Sequence, residues 1–377
     1  MKILHVVPTY LPAWRHGGPI LAVHGLCKAL AARGHEVTVF TTDVHGDGSL
    51  EVPLEKPVAI DGVQVLYFPV RSLRRLYVAP GLARAAREEM GRFDVVHLHS
   101  VFLWPTSAVA RIAERAGVPY VLSPRGMLVP ELIRTRGRWR KLAWMLLAER
   151  RTIERAAALH ATTDLEAEDA ARLDLSLPPV AVIPNGIDPE PWDGSEAAVP
   201  SPFLLYLGRL SWKKGLDRLI QALARVPGVT LALAGNDEEG ITPDLQRLAR
   251  EHGVEDRTVF LGPVHGPGKA ALLHRAAALV LPSTSENFGN VVLEAWAAGR
   301  PAVVTPGVGL AQAVRETGAG IVAEGDPVRL GDALRDLLAD PDRLDEMGRR
   351  GAEAVRERFG WAAVAREMEA LYLRVLT

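Results

Sequence analysis

Two glutamates eight positions apart, Glu286 and Glu294, lie within the stretch Ser285-Glu286-Asn287-Phe288-Gly289-Asn290-Val291-Val292-Leu293-Glu294-Ala295-Trp296, which runs on to Pro301. Eight residues make about 2.2 helical turns. A helix opening near Phe288 therefore puts Glu294 two turns inside it and Glu286 just outside its N-terminus. With Gly289 beside it, such a terminus leaves N–H groups free and carries positive partial charge, a setting that favours phosphate. Carboxylates on either side of that phosphate suit hydroxyl groups, and one ligand shape follows: a sugar, a diphosphate and a ribose. The competing reading is a capping carboxylate followed by a glutamate on a solvated helix face.

A diphosphate needs cations, and Leu207-Gly208-Arg209-Leu210-Ser211-Trp212-Lys213-Lys214-Gly215 offers two of them between an apolar run and a helical one. Arg209 supplies a planar fork and Lys214 a point charge, together enough to neutralise a diphosphate. Two solvated charges are the alternative. The loop Leu261-Gly262-Pro263-Val264-His265 can present the backbone of Gly262 and Val264 to a base edge. Near the N-terminus, Gly17-Gly18 opens a helix, where paired glycines allow close backbone approach. In His97-Leu98-His99, strand alternation puts both histidines on one face. They suit either hydrogen bonding in a cleft or a metal pair, but no acidic or cysteine cluster at ligand spacing accompanies them.

The elements that carry these residues alternate. Ile3–Val7, Glu36–Thr41, Val63–Phe68, Asp94–Leu98 and Pro119–Ser123 read as strands, with helices at Gly18–Arg33, Gly81–Gly91 and Thr106–Ala116. The pattern returns at Phe203–Gly208, Thr230–Ala234, Thr258–Leu261, Leu279–Pro282 and Pro301–Thr305, separated by helices near Gly215–Arg225, Thr242–Glu251, Gly268–Ala276 and Asn290–Ala298. Such alternation means parallel sheets covered on both faces, here in an α/β chain of two doubly wound, Rossmann-like domains facing across a cleft. The expected domains are residues 1–190 and 200–360, joined by a turn-rich passage from Ile183 to Pro200. A last helix, about 361–377, is expected to pack back on the first domain. In open parallel sheets ligands bind beyond the carboxyl ends of the strands, and every candidate above falls there.

Composition narrows the class. The chain has 377 residues, 48% hydrophobic and 24% charged, with a net charge of −1. That is ample for two cores and lacks the basic surplus of a nucleic-acid binder. The single cysteine, Cys27, excludes an internal disulfide framework and fits a reducing compartment. The start of the chain has too short an apolar run for a signal peptide, and no uncharged run reaches the roughly 18–20 residues that span a bilayer. A cytoplasmic protein is the expectation.

The Gly17-Gly18 loop, His99, Arg209 with Lys214, and Glu286-x7-Glu294 together resemble the retaining family-4 glycosyltransferases, which have the GT-B architecture. Ile183-Pro184-Asn185-Gly186-Ile187-Asp188 is similar to that family's interdomain passage. The resemblance implies that Arg209 and Lys214 bind and stabilise the departing diphosphate of a UDP-, GDP- or ADP-linked sugar. Glu286 would hold sugar hydroxyls, while Asn287, Phe288, Gly289 and Asn290 contact sugar and phosphate and Glu294 binds the ribose. His99 would touch the sugar from the other domain, and Gly17 and Gly18 would line the phosphate and acceptor side. It implies hexose transfer by a front-face route with neither cofactor nor metal. Asn287 and the bulky Trp296 depart from the usual pattern. A nucleotide-sugar 2-epimerase of the same fold, or a non-catalytic nucleotide-sugar binder, are the alternatives, and a dehydrogenase lacks its glycine fingerprint.

On the acceptor side, Ser123-Pro124-Arg125-Gly126-Met127 looks like family members that build bacterial exopolysaccharide or O-antigen on lipid-linked acceptors, which brings in Arg125 and Met127. The following segment, residues 134–151, holds Arg138, Trp139, Lys141 and Trp144. A basic helix with tryptophan and leucine on another face suits an anionic membrane surface, so contact at the inner face of the membrane is expected for a glycan or lipid-linked acceptor. An amphipathic helix packed on its own domain is the other reading.

Overall fold

The computed structural model describes residues 1–13, 18–130, 149–189 and 191–377. The chain divides into two compact units, Met1–Gly186 with Trp361–Thr377, and Ile187–Gly360. The division falls between Gly186 and Ile187. Residues 187–189 and 191–200, expected as part of the interdomain linker, belong with the second unit: Val199 lies in its core and the Trp192 ring stacks 4.6 Å from that of His274.

In the first unit the strands are β1 (Lys2–Val6), β2 (Glu36–Thr42), the short pair β3 (Val44–His45) and β4 (Gly48–Ser49), β5 (Pro57–Ile60), β6 (Val63–Phe68), β7 (Val95–His99), β8 (Tyr120–Ser123), β9 (Ala158–Ala161) and β10 (Val180–Val182). Among the described residues they form an eight-stranded sheet in the order β10-β9-β8-β7-β1-β2-β6-β5, with β3 and β4 apart. All its pairings are parallel except β5 with β6. Successive side chains of a strand face opposite ways, so each strand feeds two cores. Leu4 and Val6 pack toward Leu82, Ala86 and Val109 of helices Pro80–Glu89 and Trp104–Ala116. Ile3 and Val7 pack with Leu26 and Leu30 of helix Gly18–Ala32 and with Val364, Met368 and Leu371 of the last helix, Trp361–Leu376. Burying one such side chain contributes about 1.5–3 kcal/mol, so this closing helix is part of the first core.

In the second unit β11 (Phe203–Leu207), β12 (Thr230–Ala234), β13 (Thr258–Gly262), β14 (Ala278–Leu281), β15 (Ala302–Val304) and β16 (Gly320–Val322) form a parallel sheet in the order β13-β12-β11-β14-β15-β16. That is the 3-2-1-4-5-6 order of a doubly wound fold, and strand order reverses between β11 and β14. The first sheet reverses in the same way between β1 and β7. No helix among the described residues is long and apolar enough to cross a membrane.

Candidate functional site

Loops at the carboxyl edge of the second sheet converge at its reversal point. After β11 the chain turns through the short helix Trp212–Lys214 into helix Leu216–Leu223. After β14 it runs through Pro282–Gly289 into helix Asn290–Ala297. After β15 it passes through Thr305–Leu310. Backbone bonds join the three: Thr284 N–H donates to Lys213 O at 2.8 Å, Glu286 N–H to Gly307 O at 2.9 Å and Gly309 N–H to Glu286 O at 2.8 Å. Arg218 braces the first two from below by donating to Pro282 O at 2.8 Å.

Two of the expected donor residues, Lys214 and Glu286, meet on this frame. The Lys214 ammonium is hydrogen-bonded to a Glu286 carboxylate oxygen, with side chains 15% and 23% exposed, so both stay reachable from solvent. Helix Asn290–Ala297 opens at Asn290, as the alternation of elements predicts, and not near Phe288, so Glu294 lies about one turn inside it rather than two. The αL turn at Gly289 (φ 92°) redirects the chain there, a conformation glycine adopts without strain. Glu294 forms a 3.1 Å ion pair with Lys269, on helix Gly266–Arg275, which follows the Gly262–Val264 loop. Sequence reasoning passed over Lys269, although it too follows a strand's carboxyl end.

Arg209 bonds to the loop after β12. It is largely exposed and donates to Glu238 at 3.0 Å, while Glu239 accepts the Trp212 N–H at 3.1 Å. The acidic loop after β12, also unmarked in the sequence, thus occupies the arginine. Trp296 lies away from the site: it is fully buried against Phe359 and donates to Ala319 O at 2.9 Å, so its bulk fills core rather than a sugar pocket. The chain carries one Asp-x-Asp, Asp340-Pro341-Asp342, and Asp340 uses its carboxylate to cap helix Pro341–Ala354 by accepting from Arg343 N at 3.0 Å.

The first unit's reversal point holds a different constellation. Strand register sets His5 beside His97 and His99 beside Ser123. His97 and His99 do share a face, their rings 4.2 Å apart. Sequence spacing hid the other members. His5 Nδ1 lies 3.0 Å from His99 Nε2, His97 Nδ1 lies 2.7 Å from the Tyr372 hydroxyl, and Ser123 Oγ lies 3.1 Å from His97 Nε2 and 2.5 Å from His160 Nδ1. All are buried. Burial, reinforced by the Arg125 charge, pushes His5 and His160 down to about 3 and holds His97 and His99 well below the ordinary histidine range. Ring nitrogens of His5, His97 and His99 lie within 4.8 Å of one another. Those of His97 and His99 are all in hydrogen bonds, and the Arg125 guanidinium, 3.2 Å from His99 Nδ1, opposes a cation there.

Arg125, expected on the acceptor side, thus turns inward to His99 and also donates to Asn185 Oδ1 at 2.8 Å. Met127 is half-buried and packs against the first core. Gly18 opens helix Gly18–Ala32. Gly17, Arg138, Trp139, Lys141 and Trp144 lie outside the described residues.

Comparison with known proteins addresses the whole chain. The family model described as a glycosyl transferase 4-like domain matches residues 17–186, and that described as glycosyl transferases group 1 matches residues 201–340. The chain is 31% identical to a D-inositol 3-phosphate glycosyltransferase of Xylanimonas cellulosilytica, over 94% of this chain and 91% of that protein. It is 31% identical to a glycogen synthase of Mycobacterium tuberculosis, over 99% of this chain and 94% of that protein. Among solved structures, Anabaena HepE in complex with UDP and glucose superposes with a TM-score of 0.74 at 21% identity, covering 99% of this chain and 100% of that one.

Proposed function

From the premise that the chain belongs to the family-4 glycosyltransferases, with their GT-B fold, we propose that it transfers a hexose, with retention of configuration and without a metal, from a nucleotide-diphosphate sugar to a glycan or lipid-linked hydroxyl. The observation that carries this reading is the grouping of Lys214, Glu286 and the Glu294–Lys269 pair at the reversal point of the second sheet. Lys214 neutralises charge as it develops on the departing phosphate, and Arg209 joins it once freed from Glu238. Interactions made with charge that grows in the transition state accelerate the step. Glu286 aligns sugar hydroxyls, the backbone from Asn287 to Asn290 borders the phosphate, Gly262 and Val264 border the base, and Glu294 takes the ribose.

In the front-face route the bond from the anomeric carbon to the phosphate oxygen breaks, and the acceptor oxygen bonds that carbon on the same face. The released phosphate oxygen takes the acceptor's proton. Glu286 acts in this scheme by position and charge. The relatives' names support hydroxyl acceptors of the polyol or glucan kind, and the basic, tryptophan-bearing segment 134–151 supports presentation of a lipid-linked one at the inner membrane face.

A thermal-shift panel of UDP-, GDP- and ADP-sugars identifies the donor, because a ligand that binds only the folded state raises its apparent stability. NMR of the same mixtures then follows the sugar. The reading expects an α- or β-linked product that keeps the donor's anomeric configuration. An epimerised sugar still joined to its nucleotide overturns it.

A further inference from the structure

We propose that Arg125 is a positioning residue that fixes the tautomer of His99, making its Nε2–H the only proton this imidazole can offer. The argument rests on donors that cannot accept. A guanidinium has N–H groups and no lone pair for hydrogen bonding. Arg125 directs Nη2 and Nε at His99 Nδ1, at 3.2 and 3.4 Å, and Nη1 at Asn185 Oδ1, at 2.8 Å. His99 Nδ1 must therefore be the bare nitrogen, and a neutral ring carries its proton on Nε2. That proton points to His5 Nδ1, 3.0 Å away, so His5 is in turn protonated on Nε2. His5 Nε2 is buried without a hydrogen-bond partner among the described residues. The chain Arg125 to His99 to His5 runs in one direction and ends on an unspent donor.

A second chain beside it is fixed from its far end. A carbonyl only accepts, so His160 Nε2, 2.9 Å from Ile183 O, carries its proton. The Ser123 hydroxyl then fills the 2.5 Å contact to His160 Nδ1, which leaves Ser123 Oγ to accept from His97 Nε2–H at 3.1 Å. His97 Nδ1 is left to accept from the Tyr372 hydroxyl at 2.7 Å. This chain does not pass through Arg125.

The backbone around Arg125 is set for the task. Arg125 has φ 57°, a left-handed conformation that a non-glycine residue holds only when its surroundings enforce it, and Ser100 and Phe102, just past His99, share that trait. The enforcing partner is Glu166, whose carboxylate accepts from Gly126 N at 2.5 Å and from Thr162 N at 2.7 Å. The groups facing His99 are Arg125 from the loop after β8, His5 from β1, His97 from its own strand and His160 from β9. None of them is an acid, so nothing nearby rewards a proton on His99.

The consequence for transfer rests on the glycosyltransferase reading: a substrate hydroxyl or developing oxyanion reaching His99 meets an N–H donor after displacing His5. The tautomer itself does not depend on that reading. Long-range proton–nitrogen NMR on the full chain with labelled histidine tests it without any substrate. The wild-type His99 ring is expected as the Nε2–H form, staying neutral through pH 5. In Arg125→Met, the Nδ1–H form appears and the His99 midpoint moves upward, while His97 and His160 keep their Nε2–H signatures. Arg125→Lys, which restores a donor, returns most of the wild-type signature. An Nδ1–H or cationic His99 in the wild type overturns the proposal, as does an unchanged tautomer in Arg125→Met. In a second arm with UDP-glucose, or whichever donor the thermal-shift panel selects, Arg125→Met lowers kcat tenfold or more and adds an acid-side fall, with KM for the donor within about twofold. A failure to bind any nucleotide sugar overturns the functional reading and leaves the tautomer result standing.

Discussion

The two sheets reverse their strand order in the same way, yet the residues gathered at the two reversal points are held by opposite means. In the first unit, four buried histidines remain neutral in two hydrogen-bonded chains, His99 with His5 beside Arg125, and His97 with His160 through Ser123. In the second, Lys214 with Glu286 and Lys269 with Glu294 are charged pairs with side chains 15–23% exposed. A neutral network loses little when sealed from water, provided every group is matched, and it becomes rigid. A charged pair at the surface gives up one partner readily to an incoming ion. The comparison teaches that one strand arrangement can present a fixed proton donor in one unit and exchangeable charges in the other.

Acidification separates the two most strongly. His5 and His160 resist protonation until about pH 3 in the folded chain, whereas unfolded histidines titrate near 6.5. Between those values the unfolded chain binds more protons, so stability is lost as pH falls. Moving from pH 7 to 5 should remove about 2 kcal/mol for each of the two histidines. Calorimetry, with proteolysis assigning each transition, should show the first unit shifting down the more; equal shifts in both units would break the contrast.

Lys214→Ala comes next. Loss of one preorganised stabiliser of developing charge lowers kcat by about 10²–10³. Steady-state rates with the donor chosen by thermal shift measure it, with circular dichroism as the check on folding. A variant retaining half the wild-type rate removes Lys214 from the site.

Ser123→Ala probes the neutral network. It strands the proton of His97 Nε2 and the lone pair of His160 Nδ1, and leaving a buried group unsatisfied costs about 1–3 kcal/mol. Urea denaturation reads the loss directly. A change under 0.3 kcal/mol means the hydroxyl is not the link between the two rings.

The smallest effect belongs to Glu238→Gln. Its pair with Arg209 is well exposed, and such pairs contribute about 0–1 kcal/mol. Titration calorimetry with UDP should show binding up to a few-fold tighter at low salt, with the gain fading as salt screens the charges. Unchanged or weaker binding at low salt means Glu238 does not compete for the arginine.

Much of this was legible in one dimension, and what was missed has physical causes. Parallel central strands are apolar on both faces, so β1, β2, β6 and β7 stand out, and Glu286, Glu294 and Lys214 are marked by the turns around them. Edge strands are short and half-polar, and β5, β10 and β16 escaped notice; so did β9, buried but only four residues long. Even so, Asp61-Gly62 between β5 and β6 is a strong two-residue hairpin signal. The histidine network is harder, because alternation pairs His97 with His99 but nothing local connects them to His5 and His160, which parallel pairing brings in, or to Tyr372, which the closing helix brings in from the far end of the chain. The bonds of Arg125 to His99 and Asn185 were not legible either, because the αL backbone at Arg125 leaves no trace in residue type.

The placement of helix Trp361–Leu376 in the first core also bears on how the protein is made. Val364, Met368, Leu371 and Tyr372 fill one face of the first sheet, yet they leave the ribosome after all of Ile187–Gly360. At ordinary synthesis rates that interval lasts on the order of ten to thirty seconds. During it the nascent first unit shows an uncovered apolar face, while the second unit, contiguous in sequence, completes its own core. The early half of the chain is thus the later to finish folding, and nascent-chain chaperones should engage it until translation ends.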